Sequence, residues 1–514
     1  MKKRETFTSG LGFVMACIGS AIGLGNIWMF PYRLGAYGGA AFLIPYLFFV
    51  LVLGTTGLMI EFSFGRHFQG GSMSGIRKVF KERKMRGGSI VGALPAIGLA
   101  GIFVFYNIVI GWILKYLFMS VSGELGKINA DTYFDGFAGT ASSIPWDILS
   151  IMLTILIISF GVTKGIERIS KIIMPALFVI FLLLAVRSLT LPGAMDGVRF
   201  LMKPDWSQLG KVDTWVMALG QAFFTVSLNG CGMVVYGSYL KKEYNIPKLS
   251  LTTAILDTMA AILASFVIMP AVFAFQLDVK TGPPLLFITM PSIFEKMPGG
   301  SIVAPVFFIS LLFASVSSSI NMLEGVTEAV ISNTKITRKK AAILIGVILG
   351  LVSVPLNLSM AAFDSFTNFI TILVSPLMVI LVLIVFFYLY DQKKAIQEIG
   401  EGGNIKFGKW YEYFVKYVFL IITALVVILG VVYGGIWRNR IKNLTNIRCN
   451  CILPSLTVGG RKNRCIPCVY WVTAIFTVVT NYSNLFRPFA FFLDCSHFTF
   501  GYELIVCPET TGFM

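Results

Sequence analysis

The fold of this chain is decided by the run Gly19-Ser20-Ala21-Ile22-Gly23-Leu24-Gly25-Asn26, which interrupts the apolar segment 11–32. A helix in hydrocarbon keeps its backbone groups paired internally, so a glycine cluster there marks a place where the helix can open around a ligand. A second run of this kind, Ser227-Leu228-Asn229-Gly230-Cys231-Gly232, lies within the apolar segment 214–240. The sequence therefore predicts two interrupted helices.

The composition of the 514-residue chain is that of an all-α polytopic membrane protein, with 56% hydrophobic and only 13% charged residues. A helix crosses the hydrocarbon of a bilayer with about 20 apolar residues. Windows with little or no charge predict eleven spans, at 11–32, 36–60, 89–114, 148–163, 170–189, 214–240, 249–277, 298–323, 341–363, 365–390 and 415–437.

Basic loop residues predict the orientation of these spans. Lys2, Lys3 and Arg4 precede the first span, and six cations follow the second, within residues 77–86. Because cytoplasmic loops carry an excess of Lys and Arg, we expect a multi-pass protein of the inner (plasma) membrane with its N terminus in the cytoplasm. The same loops account for the net charge of +17, so nucleic acid is not an expected partner.

The two glycine-rich runs lie in the first and the sixth span, five spans apart. Interrupted segments at matching positions of two halves point to an inverted-repeat transporter whose substrate binds near the bilayer midplane. Glycine also permits close helix packing, which explains one such run more readily than two. In an opened helix, amide groups can meet a carboxylate and freed carbonyls can coordinate a cation.

Polar residues in two other spans agree with a cation site. Asp257 is the only charge in the run from Leu249 to Leu277. Burying it without a partner would cost about 2.5–3.5 kcal/mol, so we expect a cation beside it, although a protonated or hydrogen-bonded carboxyl is the alternative. The eighth span carries a polar patch that would either join helices or ligate a hard cation: Ser315, Ser317, Ser318, Ser319 and Asn321.

These features resemble the neurotransmitter:sodium symporter family, which carries amino acids and amines and includes the bacterial leucine transporter. The resemblance covers about residues 4–436 and is carried by the run 19–28 with Phe30-Pro31, by Gly165-Ile166-Glu167-Arg168 ahead of Pro175, and by the run 220–228. It implies a transporter domain at 1–437. Within it, two inverted five-helix repeats, at about 11–190 and 214–390, would be followed by an additional helix at 415–437.

The resemblance also implies two sodium sites and no other metal. The first site would be formed by Ala21, Asn26, Thr225 and Asp257. The second would be formed by Gly19, Ile22, Ala314, Ser317 and Ser318. All of these residues would ligate through oxygen.

An amino-acid substrate is implied in the same way. Its carboxylate would meet the Leu24 and Gly25 amides and the Tyr106 hydroxyl, and the other implied contacts are Ala21, Ile102, Phe224, Thr225, Ser227, Gly230, Ser318, Asn321 and Met322. Gly230 stands where the leucine transporter has phenylalanine, which would leave room for a ring, and Asn321 would bond a phenol. We therefore expect an aromatic amino acid, tyrosine first, with branched aliphatic amino acids as the alternative.

Departures from the family pattern bear on chloride and on gating. Asp257 stands where relatives have asparagine, and a fixed carboxylate would supply the negative charge that chloride supplies elsewhere, so we expect chloride-independent transport. The outer-gate positions are Met29 and Asp364, which cannot form an ion pair. The inner-gate positions are Arg4 and Ser332, so the inner gate needs another acceptor.

Other functions are less consistent with the sequence. The spans contain no nucleotide-phosphate loop, nucleophile elbow or metal motif, so an enzyme is not expected. A channel would favour repeated pore-lining polar rings, which these spans lack. A receptor that senses amino acids without transporting them is an alternative that the sequence leaves open. The segment 438–514 holds six cysteines, and four of them, Cys449, Cys451, Cys465 and Cys468, would supply a zinc site. The alternative, which we favour, is that the segment is a non-native extension outside the transport core. The oligomeric state is not predicted.

Overall fold

The computed structural model describes residues 5–277, 282–403 and 405–433. Within these ranges every regular element is a helix. They belong to one compact unit. The Cys-rich segment 438–514 lies outside the described residues, as does the predicted gate residue Arg4.

Helices lie at the positions of the eleven predicted spans, numbered below in chain order, and among the described residues nine of them, or ten with the bent first pair, are long and apolar enough to cross a bilayer. The nine are Gly39–Phe68, Gly88–Ser122, Ala141–Ser159, Val162–Leu189, Ile246–Ala274, Gly300–Ile331, Arg338–Asn357, Met360–Tyr390 and Lys409–Val431. The first span is a pair of helices, Gly10–Ala21 and Gly25–Ala36, bent by 57°. The sixth consists of two shorter helices, Val212–Thr225 and Gly232–Gly237.

The first span opens at the predicted glycine-rich run. Its first helix begins with a regular N-cap, in which the Ser9 side chain accepts a hydrogen bond from the Gly12 amide. The helix stops at Ala21, because Ile22 adopts an extended conformation, and it resumes at Gly25 in a wide π-helical turn. The prediction of a discontinuous first helix is confirmed.

The sixth span opens at the second glycine-rich run. Ser227 and Gly230 have positive φ values of 55° and 72°, which an α-helix does not tolerate. The Asn229 side chain then accepts from the amides of Cys231 (3.0 Å) and Gly232 (2.8 Å), as an N-cap does. The helix therefore ends and restarts within the membrane, as predicted.

Some predicted span boundaries were wrong. The fourth span covers Ala141–Ser159 rather than 148–163, because Gly161, with φ of 83°, separates it from the fifth. The ninth ends at Asn357 rather than 363, since the Ser359 side chain caps the next helix. The second continues to Phe68 rather than stopping at 60, because the charged residue that ended the apolar window lies buried inside the span.

Close packing brings the opened first span against the third and the eighth. A Cβ atom added to Gly19 would lie 2.9 Å from the Ser317 Cβ, and one added to Gly23 would lie 2.6 Å from the Tyr106 hydroxyl. Only glycine permits this approach. The shorter helices that connect the spans are Ser72–Glu82, Ala130–Phe137, Ala194–Met202, Met290–Lys296 and Gln392–Gly400.

Candidate functional site

A cavity of about 440 Å³ lies beside both helix breaks. Residues of the first, third, sixth, eighth, tenth and eleventh spans line it, and most of the lining is apolar. Nine of the twelve predicted substrate residues are among them: Ala21, Leu24, Gly25, Ile102, Tyr106, Phe224, Ser227, Ser318 and Met322. The other three, Thr225, Gly230 and Asn321, do not line it.

The side chains predicted for the first sodium site converge around Asp257, which is fully buried. Its Oδ1 accepts from the Asn26 amide nitrogen at 2.8 Å, and its Oδ2 accepts from the Thr225 hydroxyl at 2.6 Å. These three residues come from the seventh, first and sixth spans. The fourth predicted ligand, Ala21, lines the cavity at the end of the first half-helix. A carboxylate held by neutral donors at this depth attracts a cation strongly.

The residues predicted for the second sodium site converge around the Ser318 hydroxyl. Its Oγ lies 3.2 Å from the Gly19 carbonyl oxygen, 3.1 Å from that of Ile22 and 3.3 Å from that of Ala314. The Ser317 hydroxyl donates to the same Ala314 carbonyl at 2.8 Å. One hydroxyl has a single hydrogen to donate, so it cannot satisfy all of these carbonyls. Several oxygens directed to one point are the donor set of a hard cation.

Two hydrogen bonds connect predicted substrate residues at the breaks, one to the third span and one from break to break. The Leu24 amide donates to the Tyr106 hydroxyl at 3.4 Å, and the Ser227 hydroxyl donates to the Ser20 carbonyl at 2.7 Å. The cavity lining therefore contains a hydroxyl and an amide, which suit a carboxylate. It also contains carbonyl and hydroxyl oxygens, which suit an ammonium group.

Gly230 and Asn321 are engaged elsewhere. A Cβ on Gly230 would lie 2.7 Å from the carbonyl carbon of Met378 in the tenth span, so the missing side chain leaves no free volume there. Asn321 donates to the Gly232 carbonyl at 3.2 Å and braces the second half of the sixth span. Room for a substrate side chain comes instead from the cavity between Ile102, Phe224 and Met322.

Glu61 is a site residue that the sequence analysis missed. It lies in the second span, only 1% exposed, and its Oε1 accepts from the amides of Asn229 (3.1 Å) and Gly230 (2.9 Å). The carboxylate thus takes the place of helical carbonyls at the sixth-span break. The available signal was an acid directly after an apolar window, whereas Asp257 was singled out because it lies within one.

At one end of the cavity, Arg33 connects the first and sixth spans. It donates to the Gln221 side-chain oxygen at 2.7 Å, and the Gln221 amide donates to the Gly25 carbonyl at 3.4 Å. Met29 lines the cavity beside Arg33, together with Asn368 of the tenth span, whereas Asp364 does not line it. An arginine–amide contact therefore stands near the predicted outer gate.

Beyond the residues that line the cavity, a buried glutamate connects the eighth span with residues that follow the sixth span and begin the ninth. Glu324 of the eighth span accepts from the Tyr239 hydroxyl at 2.5 Å and pairs with Arg338 at the start of the ninth. Ser332, which replaces the expected aspartate, donates to Glu328 at 2.5 Å. Arg4, for which the sequence required another acceptor, lies outside the described residues, and Glu324 is engaged with Tyr239 and Arg338.

Comparison with known proteins agrees with this geometry. The sequence profile of the Sodium:neurotransmitter symporter family matches residues 4–135 and 135–439. The chain is 34% identical to YhdH, an uncharacterized sodium-dependent transporter of Bacillus subtilis, over 83% of this chain and 97% of that protein. It is 27% identical to the human sodium- and chloride-dependent creatine transporter 1, over 63% of this chain and 59% of the relative.

The fold is shared with a solved structure. The crystal structure of MhsT in complex with L-phenylalanine superposes with a TM-score of 0.73, at 34% identity, over 83% of this chain and 100% of MhsT. The predicted all-helical transporter fold is thereby confirmed. The chain belongs to the sodium:neurotransmitter symporter family, and it is a sodium-dependent multi-pass membrane transporter rather than an enzyme.

Proposed function

We propose that this chain carries a zwitterionic amino acid into the cell together with two sodium ions. The observation that carries the proposal is the pair of oxygen clusters at the first-span break. One is centred on the Asp257 carboxylate and the other on the Ser318 hydroxyl. The amino acid would lie in the cavity between them, with its carboxylate near Tyr106. The protein would lie in the inner membrane with its N terminus in the cytoplasm.

Two sodium ions supply enough energy for accumulation. One ion moving down a tenfold gradient releases about 1.4 kcal/mol, and a membrane potential of about 100 mV adds about 2.3 kcal/mol. Since each 1.4 kcal/mol corresponds to about a tenfold ratio, two ions would support a substrate gradient of about five powers of ten.

The substrate that we favour is an aromatic amino acid. The cavity is large and mostly apolar, with Ile102, Phe105, Phe224 and Met322 among its lining residues. MhsT, which shares the fold at 34% identity, was crystallised with L-phenylalanine. Because Asn321 is bonded to Gly232 and does not line the cavity, a phenol gains no partner there. Phenylalanine is therefore as strong a candidate as tyrosine.

We also propose that transport does not require chloride. The Asp257 carboxylate would offset part of the positive charge of the sodium ions in a site of low dielectric constant. A relative, the human creatine transporter, is named as chloride-dependent, so the proposal distinguishes this chain from that relative. Uptake should be unchanged when gluconate replaces chloride, and a clear loss would contradict the proposal.

The central experiment is uptake of radiolabelled phenylalanine into proteoliposomes, with and without an inward sodium gradient. We expect accumulation only with the gradient, and competition by tyrosine and tryptophan that exceeds competition by leucine or alanine. Stronger competition by leucine would favour branched aliphatic substrates. Sodium-dependent binding without accumulation would identify a receptor and overturn the proposal.

A further inference from the structure

The helix Ser72–Glu82 and the turn that follows it form a basic surface that the transport site does not use. Residues 77–86 contain six Lys or Arg residues and a single acid, Glu82. The surface lies on the side of the bundle that also carries the N terminus, since two spans separate them. It is therefore on the predicted cytoplasmic side.

This helix is fixed tightly against the third span. Its apolar residues Ile76, Val79 and Phe80 are buried. A Cβ added to Gly88, the first residue of the third span, would lie 2.6 Å from the Phe80 Cβ and 3.3 Å from the Arg77 Cα. The charged side of the helix consequently faces away from the protein.

Two of the six cations are already engaged. Lys78 donates to the Phe68 carbonyl at 2.7 Å, and Arg83 donates to the carbonyls of Leu389 (2.5 Å) and Tyr390 (2.6 Å). The remaining four are exposed, and none of their side chains forms a hydrogen bond or ion pair with a residue in the described ranges. These four residues, termed the basic patch, are Arg77, Lys81, Lys84 and Arg86.

The basic patch adjoins an exposed apolar surface of the third span. Ile90 and Ile97 of the third span are 74% and 64% exposed, and their seven-residue spacing places them on one face of the helix. Positive φ values at Lys84 (56°) and Gly87 (84°) turn the chain into this span. Arg86 lies two residues before the start of the third span at Gly88 and four before Ile90, so the patch adjoins the end of that span, where lipid headgroups would lie.

We propose that the basic patch binds the phosphate of an anionic phospholipid in the leaflet on the N-terminal side. Clustered Lys and Arg residues beside a span attract anionic lipids, and arginine can bond a phosphate with two parallel N–H groups. Inorganic phosphate offers the same charge. Only a lipid adds acyl chains that pack on Ile90 and Ile97, so a lipid is the occupant that the surface favours.

The test measures lipid binding and does not depend on the proposed transport function. The purified full chain is incubated with phosphatidylglycerol or phosphatidylcholine of identical acyl chains, and retained lipid is counted by native mass spectrometry. The patch variant is R77Q/K81Q/K84Q/R86Q. The matched control, K248Q/K335Q/K339Q/K340Q, removes four exposed lysines elsewhere on the same side of the bundle.

We expect the wild type and the control to retain phosphatidylglycerol over phosphatidylcholine, and the patch variant to lose at least about tenfold in affinity for phosphatidylglycerol. Raising the salt concentration should weaken binding to the wild type, which tests the surface without any substitution. Equal retention of both lipids by the wild type would overturn the proposal. So would an equal loss in the control variant, or full displacement by inorganic phosphate.

Discussion

Glu61 accepts the backbone amide of Gly230 at 2.9 Å, across the interface between the second and sixth spans. The same carboxylate oxygen accepts the Asn229 amide at 3.1 Å. An opened helix leaves amides without their usual carbonyl partners, and in hydrocarbon such groups are costly. Glu61 therefore stabilises the break on which the cavity depends.

Replacing Glu61 by alanine should destabilise the protein. The substitution leaves two buried amides unpaired, at about 1–3 kcal/mol each. We expect a lower unfolding temperature and strongly reduced uptake, both measured on the purified protein. Glu61→Gln keeps an acceptor oxygen and should lose less. An alanine variant with the stability and uptake of the wild type would show that the contact is dispensable.

Asp257→Asn should weaken sodium activation. It removes the only carboxylate of the seventh span while preserving size, and loss of one charge beside a cation should raise the sodium concentration for half-maximal uptake by at least about tenfold. The control is Asp147→Asn, since Asp147 is equally buried but bonds Ser353 (2.5 Å) and Asn357 (2.8 Å) away from the cavity. Identical sodium curves for both variants would contradict the assignment.

Ser318→Ala tests the second oxygen cluster. Deleting the hydroxyl removes one ligand and should cost roughly 1–2 kcal/mol, or about a tenfold loss in sodium affinity. Ser319→Ala is the neighbouring control, because the Ser319 hydroxyl contacts Asn107 (3.2 Å) and Thr154 (3.0 Å) instead. Sodium-dependent binding of labelled phenylalanine distinguishes the two. Equal effects would assign both serines to packing alone.

The ion pair of Glu398 should make the stability of the folded protein depend on pH. Burial alone would raise the pKa of this carboxyl, but a hydrogen bond with His67 and the charge of Arg66, 2.6 Å away, outweigh burial and hold the pKa below its usual value. A lowered pKa means that the contribution to stability is complete above about pH 4.3 and is lost as the pH falls through the pKa of the folded state.

Glu398→Gln should therefore cost about 3–5 kcal/mol at neutral pH, because it leaves the Arg66 charge buried without its partner. The difference between the variant and the wild type should shrink below about pH 4. Thermal unfolding at a series of pH values measures both effects. A difference that stays constant with pH would exclude the ionised carboxylate as its cause.

Deleting residues 445–514 should leave transport intact. The family profile ends at residue 439, and the oxygen clusters and cavity are formed by residues before 431. Sodium-driven uptake by the shortened chain, normalised to correctly inserted protein, is the measurement. Abolished uptake in inserted protein would assign the tail to the transporter.

The sequence by itself determined the positions of the breaks and singled out Asp257 and the serines of the eighth span, and the family resemblance added the other residues of the two oxygen clusters. Glycine runs inside apolar windows, and a lone aspartate within another, are conspicuous because hydrocarbon penalises unpaired polar groups wherever they occur in the chain. That penalty is local, so it can be recognised without knowing which spans touch. The contacts among Asn26, Thr225 and Asp257 were expected from the buried charge of Asp257 together with the family resemblance.

Only the tertiary structure decided which groups pair across spans. The charge of Glu61 made the sequence analysis end the second span at residue 60. The amides that bond this carboxylate inside the protein belong to residues about 170 positions later in the chain. Gly230 likewise suggested an open space, but the backbone of Met378 from another span fills it. Packing between distant segments sets the free volume and satisfies the buried charges, and neither quantity is encoded in the local pattern of residues.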